Sequence, residues 1–492
     1  MTTQTAPWWR RIFGRKPAPT MPVAVRGFVP HPTPAFGSRR QDGWPIALSG
    51  PNRDLGMKAP QLRKLSRALV RDNAIAHAVV REWTTLVVGG GFVANSTPEA
   101  EAIWSAWMKQ CDAQGAGRDW NTVLRTLVRA AAEGGGAFLR RRPRRPGDTV
   151  DGTGTSEPLQ TLVQVQVLEA EQLNWHQAGT TYGVELDPLD RPRAYHFFRR
   201  HPDEDAATRD VVRVPAGDIA HFYDATARPG VLHGLPLLTP VMQDLFDLGG
   251  VREALRVKER IAASLAVILE GTADQLTTPA GVPRPLGTDR TDGLAVDSDG
   301  ARVDGLEPGI ILRAPNGMSA KVVNPPQASG YDAKYDAHLI ASGAGITYPR
   351  MTGDLSQVNY SSGKLGEANA WARVRTTRDV LKAMVLDRVW RWVMQAAVMS
   401  GDLAQVPPVE WIDTPEPTLD PQKEAQAASK MMEIGAWSWG HVSRRYAGSE
   451  PERHLAELAD EVKRFAELGL KHPMAATPPP MPTVPDEATV SG

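Results

Sequence analysis

The residues best suited to chemistry in this sequence are few, and their spacing assembles no familiar reaction centre. Cys111, in the run WMKQCDAQ, is the one cysteine. A single thiol makes no internal disulfide, and no Cys/His cluster has metal-ligand spacing. Cys111 therefore reads as a thiol with no special role, in a protein that folds in a reducing compartment. The eleven histidines are scattered, with neither HExxH nor another zinc spacing, and His77 reads as structural. There is no Gly-x-Ser-x-Gly elbow. Gly363-Lys364 has the look of a phosphate-loop ending. Leu365, however, stands where a magnesium-binding Ser or Thr would be, and Val358 where the first glycine would be, so nucleotide binding is rejected. Gly89-Gly90-Gly91 has neither phosphate-loop spacing nor GxGxxG and reads as a turn. Asp332, Asp336 and Asp354 lie near one another in sequence, as metal-binding acids of a nuclease would. Without a basic general-acid partner they read as caps and solvated faces. The expectation is a protein that is not an enzyme, with no catalytic residue, metal or cofactor.

What remains is a loop. Tyr348 to Leu365, YPRMTGDLSQVNYSSGKL, is polar and glycine-punctuated, and a long helical pattern begins behind it. Tyr348-Pro349 stops the preceding helical run, because proline disfavours the helical region for the residue before it. Gly353, Asp354, Ser356, Asn359, Ser361 and Ser362 are turn and cap residues. A loop of this length is functional or disordered.

The elements that position this loop follow from hydrophobic spacing. Leu62, Leu65, Leu69, Ile75, Val79, Trp83 and Leu86 fall at helical intervals and predict one helix over 61–86. Trp104 and Trp107 mark a second helix. Val123, Leu124, Leu127 and Val128 mark a third, closed by Glu133-Gly134-Gly135-Gly136. Arg140, Arg141, Arg142, Arg144 and Arg145 form a basic cluster broken by prolines, read as a solvated hairpin end in preference to a nucleic-acid contact. Val163, Val165 and Val167 alternate as in a half-buried strand. Residues 182–186 and 194–197, joined by Asp187-Pro188-Leu189-Asp190, read as a hairpin. Strand-like runs at 213–215 and 219–222 complete a small α+β region. A helix from Leu238 is predicted to kink at Gly249-Gly250 and resume through Leu255, Ile261, Leu265 and Ile268. Ile310 to Arg313 and Lys321 to Val323 are expected to form a two-stranded ribbon. After a short helix over 335–344 and the loop, the pattern from Lys364 to Met399 predicts a rod of roughly 50 Å at ~1.5 Å per residue, long for one globular core.

Composition sets the limits. The 492 residues exceed one core, so two to four structural units are expected. Lys+Arg and Asp+Glu are both 56, giving zero formal net charge. A protein that grips DNA electrostatically carries a basic excess, whereas a conduit that lets DNA slide does not need one. The run IAASLAVIL is too short for the ~20 residues of a membrane span, and no secretory signal is read at the N-terminus, so a soluble protein is expected.

The words Gly353-Asp354-Leu355-Ser356 and Asn359-Tyr360-Ser361-Ser362 resemble a signature of the lambda-type phage portal family. Further stretches resemble that family in the same order: Arg71-Asp72-Asn73, Val87-Val88-Gly89-Gly90-Gly91, Pro215-Ala216-Gly217-Asp218-Ile219-Ala220-His221, Gly234-Leu235-Pro236, and Trp411-Ile412-Asp413. They cover about 60–430. The sequence departs from the family's pattern at His233, where arginine is usual, at Glu133-Gly134-Gly135, and at Gly363-Lys364.

The resemblance implies a mainly helical α+β portal-type subunit assembling into a ring with a central channel. Its parts would be a flexible basic N-terminal arm (1–60), a wing (61–236), a first stem helix (237–270), a clip with a β-ribbon (271–328), a second stem helix (329–345), a tunnel loop (346–363), a long helix (364–400), a crown (401–472) and a disordered tail (473–492). It implies a homododecameric ring at one capsid vertex of the virion, built in the host cytoplasm, that nucleates procapsid assembly. Double-stranded DNA would pass through without sequence specificity for packaging and ejection. The partners implied are the terminase large subunit, the major capsid or scaffolding protein and a head–tail connector. The loop residues expected at the channel are Thr352, Asp354, Ser356, Asn359, Tyr360, Ser361 and Ser362. Arg375, Arg378 and Lys382 of the long helix are expected to make ring or DNA contacts, and Ile311, Arg313, Asn316 and Lys321 to form the clip's docking ribbon. The alternatives are a non-ring DNA-binding connector or scaffold protein and a metal-dependent nuclease.

Overall fold

The computed structural model describes residues 50–115, 117–204, 210–263, 267–270, 319–322, 333–356, 358–413, 420–448 and 450–472. The chain divides into Met1–Gly50 and Pro51–Gly492, and the described elements belong to the second unit. The fold is mainly helical α+β.

Helix α1 (Pro51–Asp72) begins inside the stretch expected to be an arm, and α2 (Ala74–Val88) follows it after a break. The sequence spacing predicts one helix here. Asn73 divides it, because its backbone is extended and its side-chain oxygen accepts from Ile75 N at 2.9 Å and Ala76 N at 3.2 Å. A capped start of this kind satisfies amide groups that would otherwise lack partners. Gly89 ends α2, and Phe92–Asn95 forms strand β1. Helices α3 (Pro98–Met108) and α4 (Trp120–Gly134) come next, with Asp119 capping α4 through Thr122 N at 3.0 Å.

Strands β2 (Ala137–Pro143), β3 (Val163–Glu169) and β7 (Ile219–Phe222) make one antiparallel sheet in the order β3-β2-β7. The arginine run thus lies partly within the sheet's central strand, beyond the hairpin end expected for it. Strands β4 (Val184–Leu186), β5 (Pro192–Phe198) and β6 (Val211–Pro215) make a second sheet in that order. Phe138 joins the second sheet's core, edge-on to Phe197 at 5.0 Å and to Tyr195 at 5.7 Å. Ala137 and Leu139, on the opposite face, belong to the larger core.

The sheets meet the following helix at a close backbone crossing. Gly135 has φ +79° and ends α4; a Cβ there would lie 2.5 Å from the Gly234 carbonyl oxygen. A Cβ on Gly234 would lie 2.3 Å from the Gly135 oxygen. Both glycines are required by this approach. Beside it, the buried His233 ring lies 4.6 Å from Trp175, which also meets the Tyr182 ring at 5.4 Å and the Arg63 guanidinium at 4.1 Å.

Helix α5 (Met242–Ala263) runs through Gly249-Gly250 as one element. It is shorter than the expected stem helix. Val267–Glu270 forms strand β8, paired with β9 (Ser319–Val322) from Val267↔Val322 to Glu270↔Ser319. β-Branched Val267 and Ile268 suit a pleated strand better than a helix end. The strand expected at 321–323 is Ser319–Val322 and takes its partner from before the clip stretch; Ile310 to Arg313, its expected partner, lie outside the described residues. Helix α6 (Ala333–Ala344) packs on α5. Then come α7 (Tyr348–Thr352), α8 (Tyr360–Leu381), a π-helical turn (Lys382–Leu386) and α9 (Asp387–Ser400). Strand β10 (Glu410–Asp413) returns to pair with β1, Phe92 opposite Asp413. Helices α10 (Pro421–Glu433), α11 (Trp439–Val442) and α12 (Pro451–Glu467) close the described chain.

The larger core centres on a tryptophan cluster. Trp104 lies 4.9 Å from Trp107, 5.7 Å from Trp120, 5.4 Å from Trp390 and 5.5 Å from Trp411. These rings come from α3, α4, α9 and β10, so burying them fixes the far end of the long rod to the N-terminal helices.

Candidate functional site

The polar stretch singled out in the sequence is shorter in space than 346–363. Residues 348–352 form α7, where Pro349 sits in the first turn and needs no amide partner. Gly353 ends it with φ +73°, its amide bonding Pro349 O at 2.7 Å. Asn359 then starts α8 with a reciprocal cap: its side chain accepts from Ser362 N at 2.8 Å, and its own amide donates to Ser362 Oγ at 3.1 Å. The connection proper is 353–359.

Its polar side chains hold the loop itself. Asp354 Oδ1 accepts from Ser356 N at 3.0 Å, and Asp354 Oδ2 accepts from Tyr348 Oη at 3.2 Å. Lys334 Nζ stands 3.7 Å from the same Oδ2. The Ser356 bonds, then Tyr348 and Lys334, hold the Asp354 carboxyl down at about 2. Thr352 Oγ1 donates to Tyr348 O at 2.9 Å and accepts from Asp354 N at 3.2 Å. The Tyr348 ring stacks on His338 of α6, centroids 4.1 Å apart. At the base, Arg350 of α7 grips Glu367 of α8 through Nε at 2.9 Å and Nη2 at 2.6 Å, with Glu82 of α2 at 3.9 Å. Two-point guanidinium–carboxylate pairing fixes orientation as well as distance. The loop thus hangs from a base tied to α2, α6 and α8.

The loop also carries an open apolar side chain: Leu355 is 67% exposed. Leu365, on the first turns of α8, is 65% exposed. The sequence foresaw Asp354, Asn359, Ser361 and Ser362 as turn and cap residues. That their capping would leave Leu355 as the projecting group needed the geometry. Ser361 is exposed, and Tyr360 opens α8.

The three long-helix cations divide. Arg375 is exposed on α8. Arg378 is 2% exposed, donates from Nε to Val87 O at 3.0 Å and approaches Asp413 at 3.9 Å. Lys382 binds Asp413 Oδ2 at 2.8 Å. Arg378 and Lys382 are therefore struts joining the rod to the β1–β10 ribbon, and Arg375 alone of the three stands on an open face. Sequence reading gave no role to Arg388. It donates to Ala216 O at 2.8 Å and also to Ile219 O, while Trp392 Nε1 donates to Gly217 O at 2.9 Å. The Pro215–Asp218 turn is the seat of α9. Lys321 lies in β9 opposite Ile268; Ile311, Arg313 and Asn316 lie outside the described residues.

The metal question has a local answer. Among the described residues, Glu169, Glu171 and His201 are the one group whose ligand atoms converge, within 4.8 Å. Arg67 already binds Glu171 at 2.9 Å and Glu169 at 3.0 Å, which places a cation there. Asp354 is engaged as above, and Asp332 lies outside the described residues. Cys111 is buried, and burial, then Asp112, pushes its thiol up to about 12, which removes thiolate chemistry.

Residues 37–378 match the family described as phage portal protein, lambda family, a span that includes the 353–359 loop and its base. The chain belongs to this portal family. Among portal relatives, it is similar to the probable portal protein of Halomonas phage phiHAP-1, 25% identical over 332 residues, 63% of this chain and 61% of that protein. The chain thus spans less than two thirds of that portal protein's length. Among solved structures, it resembles a chain in the neck of a native GTA particle computed with C12 symmetry, at TM-score 0.43 and 14% identity, covering 76% of this chain and 90% of the other. It also resembles an HK97 family phage portal protein from Corynebacterium diphtheriae, at TM-score 0.35 and 13% identity, covering 73% and 96%. No helix among the described residues is long and apolar enough to cross a membrane.

Proposed function

We propose that the chain is the subunit of a closed ring, twelve copies around an axial hole, seated at one capsid vertex of a virion and assembled in the host cytoplasm. DNA driven by a terminase enters through the hole and later leaves through it, and a head–tail connector docks on the clip. The protein is a conduit, with no reaction of its own. In this reading the sheets and α1–α4 are the wing, α5 and α6 the stem and 353–359 the tunnel loop. Ile311, Arg313, Asn316 and Lys321 serve the docking end, and α10–α12 the crown.

One observation carries the proposal beyond family membership. The loop is secured by its own polar groups at the more exposed end of a rod whose other end is buried by its own chain. A loop so built offers DNA few unengaged polar groups, which suits sliding better than gripping. Thr352, Ser356, Ser361 and Leu355 would then meet the duplex, while Asp354, Asn359 and Ser362 keep the loop's shape. Rotationally repeated heterologous contacts would cover the exposed face of α8.

Native mass spectrometry of the full chain tests this. A species of about 640 kDa, twelve times 53.5 kDa, with negative-stain images of an annulus, is expected for a closed ring. A stable monomer under all assembly conditions would point instead to a non-ring connector, and magnesium-dependent DNA cleavage lost in Asp354→Ala to a nuclease.

A further inference from the structure

Several arginines of this subunit are matched to acids. On the wing, Arg67 pairs with Glu169 and Glu171, Arg118 with Asp112, and Arg213 with Glu185 at 2.8 Å. The outer half of β2 is different. Arg140 and Arg142 share the face of β2 that carries Phe138, and Arg144 follows Pro143. Opposite them on β3 stand glutamines, with Arg140 across from Gln166 and Arg142 across from Gln164.

Gln166 and Gln164 orient the Arg142 and Arg144 guanidiniums without neutralising them. Arg142 Nε donates to Gln166 Oε1 at 2.9 Å, and its Nη2 bonds the same oxygen. Arg144 Nε donates to Gln164 Oε1 at 2.7 Å, with Nη2 3.4 Å from Ala113 O. Gln164 is fully buried, and its amide donates to Gln110 O at 2.9 Å, Asp112 O at 3.2 Å and Val150 O at 3.1 Å. Its oxygen therefore has to face Arg144. Among the described residues, the nearest acids are paired with neighbours, Asp218 3.7 Å from Arg141 and Asp210 3.9 Å from Arg199, although Asp218 also attracts Arg140. Burial, then Arg140, Arg144 and Arg199, lowers the Arg142 pKa. Burial and Arg199 lower that of Arg140, against Asp218. Like charges are thus held together at a half-buried edge, beyond the second core.

We propose that Arg140, Arg142 and Arg144 form a docking site for an extended, carboxylate-rich segment of a partner polypeptide. Alternate strand residues repeat at about 6.8 Å, the same repeat as alternate carboxylates on an extended chain. Planar forks fixed by neutral acceptors are suited to two-point binding of carboxylates. The guanidiniums are recessed, which admits a narrow chain more readily than the convex face of a duplex. The chain's zero net charge also lacks the surplus that duplex binding uses. The site does not depend on ring formation, so its failure and that of the ring are separable.

Fluorescence polarisation of a labelled alternating Glu-Ser dodecapeptide with the full chain tests the site. Expected are binding that weakens with added salt and a loss of tenfold or more in Arg140→Gln/Arg142→Gln/Arg144→Gln. Arg142→Lys should recover only part of the loss relative to Arg142→Gln, because lysine lacks the fork. If the triple variant does not keep its circular dichroism and melting, single Arg142→Gln and Arg144→Gln are each expected to lose threefold or more. Absence of peptide binding, or equal binding by these variants, overturns the proposal. So does a 30-base-pair duplex that binds more tightly than the peptide and loses affinity in the same variants, since the surface would then serve nucleic acid.

Discussion

Helices α8 and α9 are two halves of one rod joined by a π-helical turn, and they meet their surroundings in opposite ways. In α9, Val389, Trp390, Trp392, Val393, Met394, Ala396 and Ala397 are buried, and Arg388 and Trp392 hold the 216–219 carbonyls. In the first turns of α8, Ser361, Ser362, Lys364, Leu365, Ala368 and Asn369 are exposed, and the loop before them is tied mainly to itself and to α6. The π-helical turn lies within the anchored stretch, which begins on α8 with Arg378 bonded to Val87 O and continues with Lys382 bonded to Asp413. Such insertions often mark functional positions in helices. The contrast teaches that the rod is anchored at one end and presents its loop from the other. Part of the α8 face is thus left open.

The largest expected effect falls on the anchored half. Trp390→Ala removes a buried ring that touches Trp104 and Trp411 and bonds Pro407 O at 3.0 Å. It should cost about 3–5 kcal/mol, read as a lowered urea midpoint. Arg378→Ala comes next, at about 2–3 kcal/mol, because it strands the Val87 carbonyl and part of Asp413's pairing. The same change at exposed Arg375 should cost under about 0.5 kcal/mol. Equal losses at 375 and 378 would break the comparison.

Acid should act on the seat of the rod before it acts on the loop. Burial, with Arg63 nearby, pushes His233 down to about 3, and burial, then His233 and Arg63, lowers His221. Both therefore stay neutral in the folded wing and bind protons when it unfolds. Their stability contribution is complete above the unfolded value near 6.5 and is lost progressively as pH falls below it, at roughly 1.4 kcal/mol per pH unit per histidine. Urea midpoints measured from pH 7 to 5.5 should fall, and His233→Gln should flatten the slope. Asp354, held at about 2, keeps its charge and its loop contacts throughout that range. The smallest effect is expected at the free end. Leu355→Ser should leave the urea midpoint unchanged within about 0.5 kcal/mol, while changing how long DNA is retained in filled particles.

Much of this was legible beforehand where a signal is local. The helical spacing of α4 and α9, the alternation of β3, the hairpin β4–β5 and the cap character of Asn359 and Ser362 are all short-range patterns. Pairings across long separations were not legible. β1 with β10 and β8 with β9 join strands of four residues, too short to show a period, and their partners lie far along the chain. Asn73 escaped notice because the apolar spacing continues through it and only its backbone reveals the cap. Arg378 was expected to make ring or DNA contacts and Arg388 had no expected role, since a cation aimed at a distant carbonyl has no sequence signature. The loop's wording marked its place, but its self-contained bonding and projecting Leu355 depend on side-chain directions.

Electron cryo-microscopy of the assembled full chain tests the central claim most directly. The account predicts a closed ring in which residues 353–359 line the narrowest part of the axial hole and a neighbouring subunit covers the open face of α8. A ring with these residues on its outer rim, or no ring at all, would contradict it.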